Sequence, residues 1–232
     1  MEGAQLTRPR QSLRLVALTL ASALVVGCAS TGTVDTTTSA FYDPESRAVR
    51  LETTGCEFAS GRIGSGVAIG HGLVLTVAHL IVRADTVTAF VGGGLATPAQ
   101  VAAVDLRRDL ALLRVTGDTA PPVEMVSLGE GAGGLIVGGA TSGTVSFAVR
   151  RVVELTIEEI LGTDRHSRLG YELAAETKDG DSGAGAYDDA GRLVGIVFAT
   201  GEDGETTWIT ASSELEDFVA SVGATDTYPL CD

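Results

Sequence analysis

Residues 179–185 read Asp-Gly-Asp-Ser-Gly-Ala-Gly, one serine among glycines and alanine with an acid directly before it. A serine hydroxyl is a weak nucleophile unless a base removes its proton and nearby donors hold the oxyanion that forms. Gly180 and Gly183 lack a β-carbon, so the chain here is free to turn its N–H groups inward around a carbonyl oxygen. Taken alone, the stretch fits either a nucleophile loop around Ser182 or a glycine-rich hairpin turn.

Two apolar runs upstream of this loop carry groups that suit a role beside a serine. Residues 73–79 end in His79, and residues 109–113 begin with Asp109. Each residue alone also fits an ordinary role, as a structural histidine and as a turn aspartate. The order histidine, aspartate, serine matches a base, the group that orients it and a nucleophile, so the three together favour a catalytic constellation.

At these three places the chain resembles the trypsin-like serine proteases. Residues 76–79 read Thr-Val-Ala-His and are similar to the T-A-A-H box, residues 109–113 are similar to the D-x-A-L-L strand, and residues 180–183 read G-D-S-G. The histidine and aspartate lie 30 residues apart, and the aspartate and serine 73 apart. These spacings are similar to those of compact bacterial members, the high-temperature-requirement proteases and the actinobacterial membrane-linked serine proteases.

The resemblance implies an all-β fold of two antiparallel six-stranded β-barrels, with a C-terminal helix and the site in the cleft between the barrels. The protease domain is expected over 51–232, with lobe one at about 55–117, lobe two at about 121–211 and the helix at about 212–222. Many short apolar runs, separated by turn residues and rich in glycine, agree with this architecture. Residues 183–185 read Gly-Ala-Gly where the family usually has Gly-Gly-Pro, which alters the strand leaving the loop and not the nucleophile.

The resemblance also implies a role for each site residue. Ser182 attacks a peptide carbonyl, His79 takes its proton and later passes it to the leaving amine, and Asp109 holds the other ring nitrogen. Asp105 is a competing acid four residues earlier, and it is rejected because Asp109 directly precedes the apolar strand. The N–H groups of Gly180 and Ser182 are the expected oxyanion hole.

Asp181 precedes the serine, and a buried carboxylate needs a partner. In trypsins this partner is a new N-terminal amine made by zymogen cleavage, but this chain has no Ile-Val-Gly-Gly start. We expect an internal donor instead, either an arginine such as Arg150 or Arg151 or a set of backbone N–H groups. On this interpretation the enzyme needs no N-terminal activation.

Glu176 lies, by count from Ser182, where trypsins place the acid that reads a basic side chain. A glutamate there fits a preference for Arg or Lys before the cut bond. Loop lengths differ in the bacterial relatives, many of which prefer small apolar residues, and the resemblance to them favours that second preference. Ala199 and Thr200 are expected to line the same pocket. Thr200 is also a candidate hydroxyl partner for Asp109.

Residues 1–28 are typical of an export signal. Three arginines precede an apolar run over 15–27, which is too short to span a bilayer comfortably as a permanent helix. The run ends Leu-Val-Val-Gly-Cys at Cys28, similar to the bacterial lipobox, and ordinary signal-peptide cleavage is the alternative. We expect lipidated Cys28, a flexible tether over 29–50, and an exported, membrane-anchored lipoprotein of the cell envelope.

The chain has three cysteines, and lipidation of Cys28 leaves Cys56 and Cys231. Disulfides persist in the compartments that exported chains reach, so we expect these two to form a bridge. Such a bridge is also similar to that of the actinobacterial relatives. Two unpaired buried thiols are the alternative.

Net charge and the placement of the histidines bear on nucleic acid and metal as partners. A formal charge of −14 argues against nucleic acid, since a phosphate backbone needs a basic surface. His71 in a turn and His166 in the polar stretch 163–168, read as a loop, are assigned surface roles. No histidine–cysteine or histidine–carboxylate cluster has metal-ligand spacing, so we predict no metal and no cofactor.

Two functions from different classes remain. The favoured one is a serine endopeptidase that hydrolyses peptide bonds in proteins or peptides through an acyl-enzyme intermediate. The alternative is a catalytically silent trypsin-fold lipoprotein that binds peptides or partner proteins in its cleft.

Overall fold

The computed structural model describes residues 43–56, 60–117, 120–141, 143–223 and 231. The predicted export signal, Cys28 and the part of the predicted tether before residue 43 lie outside these ranges. No helix among the described residues is long and apolar enough to span a membrane. The described elements are α1 (Pro44–Arg47), β1 (Ala48–Gly55), β2 (Arg62–Gly70), β3 (Leu73–Thr76), α2 (Ala78–Ile81), β4 (Ala84–Val91), β5 (Thr97–Asp105), β6 (Leu110–Val115), β7 (Gly133–Gly138), β8 (Gly143–Glu158), β9 (Arg165–Ala174), β10 (Gly185–Tyr187), β11 (Leu193–Thr200), β12 (Thr206–Ala211) and α3 (Ser212–Ser221).

The first six strands form a closed antiparallel barrel in the order β1-β2-β3-β6-β5-β4, completed by pairing of β1 with β4. Alternate side chains of these strands point inward, as the period of a strand requires. Val49 and Leu51 of β1 are fully buried in this interior together with Val67 of β2. The barrel leaves no free strand edge, because its first strand supplies the partner of its fourth.

The last six strands form a second closed barrel in the order β10-β11-β12-β9-β8-β7, completed by pairing of β10 with β7. Its interior holds Tyr171, Leu173 and Ile209, all at most 1% exposed. Helix α3 follows and buries Leu215 and Phe218 on one side. The predicted fold class, two six-stranded antiparallel barrels with a C-terminal helix, is confirmed.

The folded domain begins earlier than the predicted boundary at residue 51. Helix α1 and the first residues of β1 fall inside the segment 29–50 that was predicted to be a flexible tether. Arg47 is buried, and its guanidinium donates to the carbonyls of Ala68 and Pro121 at 3.1 and 2.8 Å. The start of β1 is difficult to recognise in the sequence, because a polar stretch precedes Ala48 and only Val49 and Leu51 show the apolar alternation of a strand.

Cys56 and Cys231 form a disulfide with Cα atoms 5.4 Å apart across a sequence separation of 175. The Cys56 N–H donates to the carbonyl of Arg83 at 2.9 Å, which fixes this end of the bridge beside β4. The predicted pairing is therefore present in the structure, and it joins the end of β1 to the C-terminal segment.

The sequence predicted that the polar stretch 163–168 is a loop, but only its first residues are. Its second half begins β9, where Arg165 lies opposite Glu158 of β8 and His166 opposite Ile157. The residues of this part are polar, with exposed ones alternating with half-buried His166 and buried Arg168, so it lacks the apolar alternation that indicates a strand in a sequence.

Candidate active site

The histidine and the aspartate meet because β3 and β6 are antiparallel neighbours. Thr76 at the end of β3 lies opposite Ala111 near the start of β6. The residues that follow β3 and those that precede β6 therefore lie at the same end of the barrel. His79 occupies the first turn of α2, and Asp109 ends the turn before β6.

Both oxygens of the Asp109 carboxylate bind His79. Oδ1 accepts the backbone N–H of His79 at 2.8 Å, and Oδ2 lies 2.8 Å from Nδ1 of the ring. Asp109 is buried, whereas the imidazole remains 35% exposed. A carboxylate at Nδ1 places the proton on that nitrogen and leaves Nε2 as the acceptor. The predicted contact between these two residues is present.

Asp105 serves a different purpose from Asp109. Its Oδ1 accepts the N–H groups of Arg107 and Arg108 at 3.0 Å each, and its Oδ2 binds the Arg108 guanidinium at 3.2 Å. The carboxylate thus closes the turn between β5 and β6. This geometry agrees with the choice of Asp109 over Asp105.

The loop that carries Ser182 docks on the first barrel through β2. The Ser182 carbonyl accepts the N–H of Ser65 at 2.8 Å. Gly183 has a φ of +86°, and a β-carbon there would lie 2.0 Å from the Ser65 carbonyl oxygen, so only glycine fits. A β-carbon on Gly64 would lie 2.7 Å from Leu80 and 3.3 Å from the Ser182 oxygen. Helix α2 and the serine loop thus contact the same point of β2.

The side chain of Ser182 is not joined to the histidine. Ser182 is half-buried, and its hydroxyl makes no hydrogen bond to His79 in the described chain. Hydrogen bonds of this kind are often long without substrate and shorten in the complex. The contact between the serine and the histidine therefore stays a prediction.

The residues before the serine form a hydrogen-bonded turn. The Asp181 N–H donates to the Lys178 carbonyl at 3.0 Å, and Gly180 in the third position has a φ of +97°. This is the pattern of a type II turn, which needs a positive φ at that position. Among the described residues, the N–H groups of Gly180 and Ser182 have no protein acceptor. They remain free to bind a ligand oxygen, as the predicted oxyanion hole requires.

The Asp181 carboxylate is buried and its partners are internal. The Thr141 hydroxyl donates to Oδ1, and the Lys178 N–H donates to Oδ2 at 2.9 Å. The predicted arginine partners are wrong, because Arg150 binds the Thr206 hydroxyl and Arg151 pairs with Glu172. The predicted alternative of backbone donors is partly right, with a threonine hydroxyl in addition.

The residues predicted to line a specificity pocket lie near a cluster of threonines. Glu176 is exposed, whereas Thr177 beside it is buried and bonds the hydroxyls of Thr200 and Thr207 at 2.8 Å each. The predicted contact between Thr200 and Asp109 is absent among the described residues, and the Thr200 hydroxyl contacts that of Thr177 instead. Ala199 lies next to Thr200 in β11, half-buried. The predicted preference at the cut bond stays a prediction.

Arg168 is a buried cation that the sequence did not single out. It is 2% exposed, and its three guanidinium nitrogens have no hydrogen-bond partner among the described residues. The guanidinium stacks over Phe198 at 4.0 Å from the ring centroid. Burial lowers the pKa of Arg168 to about 10, opposed by the charges of Asp109, Glu214 and Asp105. Arg168 lies in the polar stretch 163–168, so the sequence did not distinguish it from the exposed residues beside it.

The hairpin of β8 and β9 brings Glu159, Asp164 and His166 together, with one ligand atom from each within 4.8 Å of the others. No such cluster was expected from the sequence, because the three side chains become neighbours only when the hairpin closes. His166 is half-buried rather than at the surface, and its Nε2 has no partner in the described chain. The absence of a metal stays a prediction.

Ser65 and Thr141 also bind the serine loop, and sequence reasoning missed both. Ser65 is fully buried within an apolar strand and stands between Gly64 and Gly66. A polar side chain in a buried strand must find hydrogen-bond partners, which is the signal that marks this position. No comparable signal marks Thr141, whose role depends on a loop from another part of the chain.

Two closed six-stranded barrels with a C-terminal helix define the trypsin type of fold. Residues 64–196 match the family described as Trypsin-like peptidase domain. Because this match covers more than half of the chain, the chain belongs to the trypsin-like peptidase domain family.

Two proteins of Mycobacterium tuberculosis, named Serine protease MT3772 and Serine protease Rv3671c, are each 28% identical to the chain over 169 residues. The match covers 70% of this chain and 42% of each relative, so the chain spans less than half the length of these curated relatives. The solved Rv3671c protease from M. tuberculosis in its active form has a TM-score of 0.73 at 26% identity, covering 80% of this chain and 85% of that one.

A solved HtrA-type protease, AlgW with tripeptide, has a TM-score of 0.66 at 22% identity, covering 76% of this chain and 60% of that one. This likeness concerns the fold alone. Together with the family match, these neighbours confirm the resemblance to trypsin-like proteases of compact bacterial type. The lipoprotein signal stays a prediction.

Proposed function

We propose that this chain is a serine endopeptidase that hydrolyses peptide bonds through Ser182, His79 and Asp109. The observation that carries the proposal is the two-point contact between Asp109 and His79, found in a chain that belongs to the trypsin-like peptidase domain family. The free N–H groups of Gly180 and Ser182 support it further.

The proposed chemistry follows from these groups. Nε2 of His79 takes the proton of the Ser182 hydroxyl as its oxygen attacks the peptide carbonyl. The N–H groups of Gly180 and Ser182 hold the negative charge that develops on the carbonyl oxygen. His79 then gives the proton to the leaving amine, and water releases the acyl group by the same steps in reverse. Asp109 stabilises the imidazolium throughout.

Labelling with a fluorophosphonate tests the nucleophile. We expect the folded wild type to be labelled once per chain and the Ser182→Ala variant to be unlabelled, because only a serine with an active base reacts at a useful rate. Cleavage of a peptide library by the wild type would then define the preference at the cut bond. A folded wild type that stays unlabelled would support the silent, peptide-binding alternative.

We propose in addition that the chain is exported and held on a membrane of the cell envelope by lipid on Cys28. The proposal rests on the apolar run over 15–27 and its lipobox-like end. Metabolic labelling with a fatty acid analogue should mark the wild type and fail to mark Cys28→Ala, which should move to the soluble fraction. Equal membrane recovery of both proteins would contradict the anchor.

A further inference from the structure

Ser65 belongs to β2 of the first barrel, yet most of its polar contacts reach loops of the second. It is fully buried. Its backbone N–H and its hydroxyl both point toward the loop that carries the serine nucleophile. Its partners in the second barrel are Gly139, Ala140, Gly180 and Ser182.

The hydroxyl of Ser65 uses its full hydrogen-bonding capacity. It donates to the Gly180 carbonyl at 2.8 Å and accepts the N–H groups of Gly139 and Ala140 at 3.1 and 3.2 Å. A hydroxyl has one donor and two acceptor lone pairs, so no further bond is available to it. Because the residue is buried, bulk water does not replace these partners when the hydroxyl is removed.

These contacts hold the peptide between Gly180 and Asp181 at both ends. Its carbonyl binds Ser65, and its N–H binds the Lys178 carbonyl at 3.0 Å. A peptide unit is planar, so two bonds at opposite ends set its orientation. Gly180 is the residue of this turn with the greatest backbone freedom, and an external contact is what restricts it.

The peptide between Ser182 and Gly183 is also held at both ends. The Ser182 carbonyl binds the Ser65 N–H at 2.8 Å, and the Gly183 N–H binds the Val197 carbonyl at 2.7 Å. Ser65 therefore supplies one end of both clamps. The N–H groups of Gly180 and Ser182, which have no protein acceptor among the described residues, lie in the segment that these clamps restrict.

We propose that Ser65 is a positioning residue, whose hydroxyl holds the Gly180 carbonyl and thereby keeps the Gly180 N–H directed at the substrate oxygen. The inference rests on the proposed function, and it adds a residue from the opposite barrel to the oxyanion hole. Ser65 does not touch substrate and acts through Gly180. The Gly180 N–H belongs to the preceding peptide, which is joined to the clamped one at the Gly180 Cα. Rotation of that peptide after release of the Gly180 carbonyl would withdraw the N–H from the anion and present the Asp179 carbonyl to it, which is unfavourable for negative charge.

The test compares Ser65→Ala with Ser212→Ala. Ser212 is a matched control, because it is also buried and its hydroxyl also donates to a backbone carbonyl, that of Val126 at 2.9 Å. For each variant, kcat and KM on a peptide substrate, the affinity for a peptide aldehyde and the thermal midpoint are measured. The aldehyde forms a tetrahedral adduct that needs the oxyanion hole, whereas ground-state binding of the peptide does not.

We expect kcat of Ser65→Ala to fall about 10- to 100-fold with KM unchanged, less than the loss of a whole oxyanion donor. Aldehyde affinity should fall by the same factor. Ser212→Ala should lose thermal stability and keep its kcat. If active Ser65→Ala retains the wild-type kcat and aldehyde affinity, or if both variants lose kcat in proportion to stability, the inference is overturned. A wild type inert to both fluorophosphonate and peptide refutes the proposed function, and this inference with it.

Discussion

Asp109 has a backbone conformation that restricts which residue can stand there. Its φ is +54°, in the left-handed region that most residues avoid and that aspartate and asparagine tolerate. This conformation directs one carboxylate oxygen to the His79 backbone and the other to its ring. Backbone and chemistry therefore both favour aspartate at this position.

Asp109→Asn isolates the chemical contribution of the carboxylate. Asparagine keeps the size and the tolerance of left-handed φ, but its amide favours the ring tautomer with the proton on Nε2. We expect kcat for peptide cleavage to fall on the order of 10⁴-fold, with the fold retained. Steady-state kinetics with circular dichroism as a fold check measures this.

Asp105→Asn is the matched control, since asparagine still accepts the N–H bonds of the turn that Asp105 closes. Its activity should stay within about tenfold of wild type, because the side chain does not contact His79. Equal losses in the two variants would show that the turn, and not the carboxylate beside the imidazole, matters here.

The site was predictable at this scale only where local sequence carries the role. His79, Asp109 and Ser182 stand in recognisable motifs, and the first two meet as expected. The partners of Asp181 and Thr200 were not predictable, because a hydrogen-bond partner depends on side-chain directions across separate strands. Ser65 was missed for the same reason.

At the scale of elements, the turn from β10 to β11 is closed by Asp188. Oδ1 accepts the N–H groups of Ala190 and Arg192 at 3.0 and 2.9 Å, and Oδ2 accepts two guanidinium bonds from Arg192 at 2.8 and 2.6 Å. Burial alone would raise the pKa of Asp188, but these bonds outweigh burial and lower the pKa below its ordinary 3.8. The ionised carboxylate is thus favoured in the folded chain.

Asp188→Asn should lower the free energy of unfolding by about 1–3 kcal/mol at pH 7, the usual value of hydrogen bonds to a charged group. A lowered carboxyl pKa contributes stability that is present above pH 3.8 and lost as pH falls through the folded pKa. The difference between variant and wild type should therefore shrink below about pH 4. Urea unfolding at pH 7 and pH 3 measures it.

The neighbouring Asp189 provides the control for this turn, because it is exposed. Asp189→Asn should change the free energy of unfolding by less than about 0.5 kcal/mol at either pH. A constant difference between Asp188→Asn and wild type across the two pH values would contradict the assigned pKa direction.

Elements that contain a continuous apolar run were predictable, and element ends that are short or polar were not. The runs that became β3 and β6 were read as strands from the sequence. The start of β1 was read as tether because Ala48 and Val49, although buried, are too few to show a period after the polar stretch before them. The start of β9 was read as loop because its first four residues are polar. Strand pairing, not propensity, creates these elements.

At the scale of the whole molecule, the Cys56–Cys231 bridge joins the first strand to the C-terminal segment. Such a link restricts nearly the whole unfolded domain, which raises the free energy of the unfolded state. Replacing both cysteines with serine should lower the free energy of unfolding by about 2–5 kcal/mol. Guanidinium unfolding under oxidising conditions measures the loss.

Reductant supplies an internal check on this prediction. Dithiothreitol should shift the unfolding midpoint of the wild type toward that of the double variant and leave the variant unchanged. Equal midpoints for the two proteins in oxidising buffer would mean that the bridge adds nothing to stability.

The sequence by itself determined the all-β class, the family resemblance and the motifs that hold the histidine, aspartate and serine, because these depend on short local patterns. Only the tertiary structure decided that Asp109 binds both the backbone and the ring of His79, and that the Thr141 hydroxyl binds Asp181. It also decided that Ser65 of one barrel clamps the serine loop of the other. Such contacts arise when two closed barrels pack, and no local pattern encodes which loop a buried hydroxyl will meet.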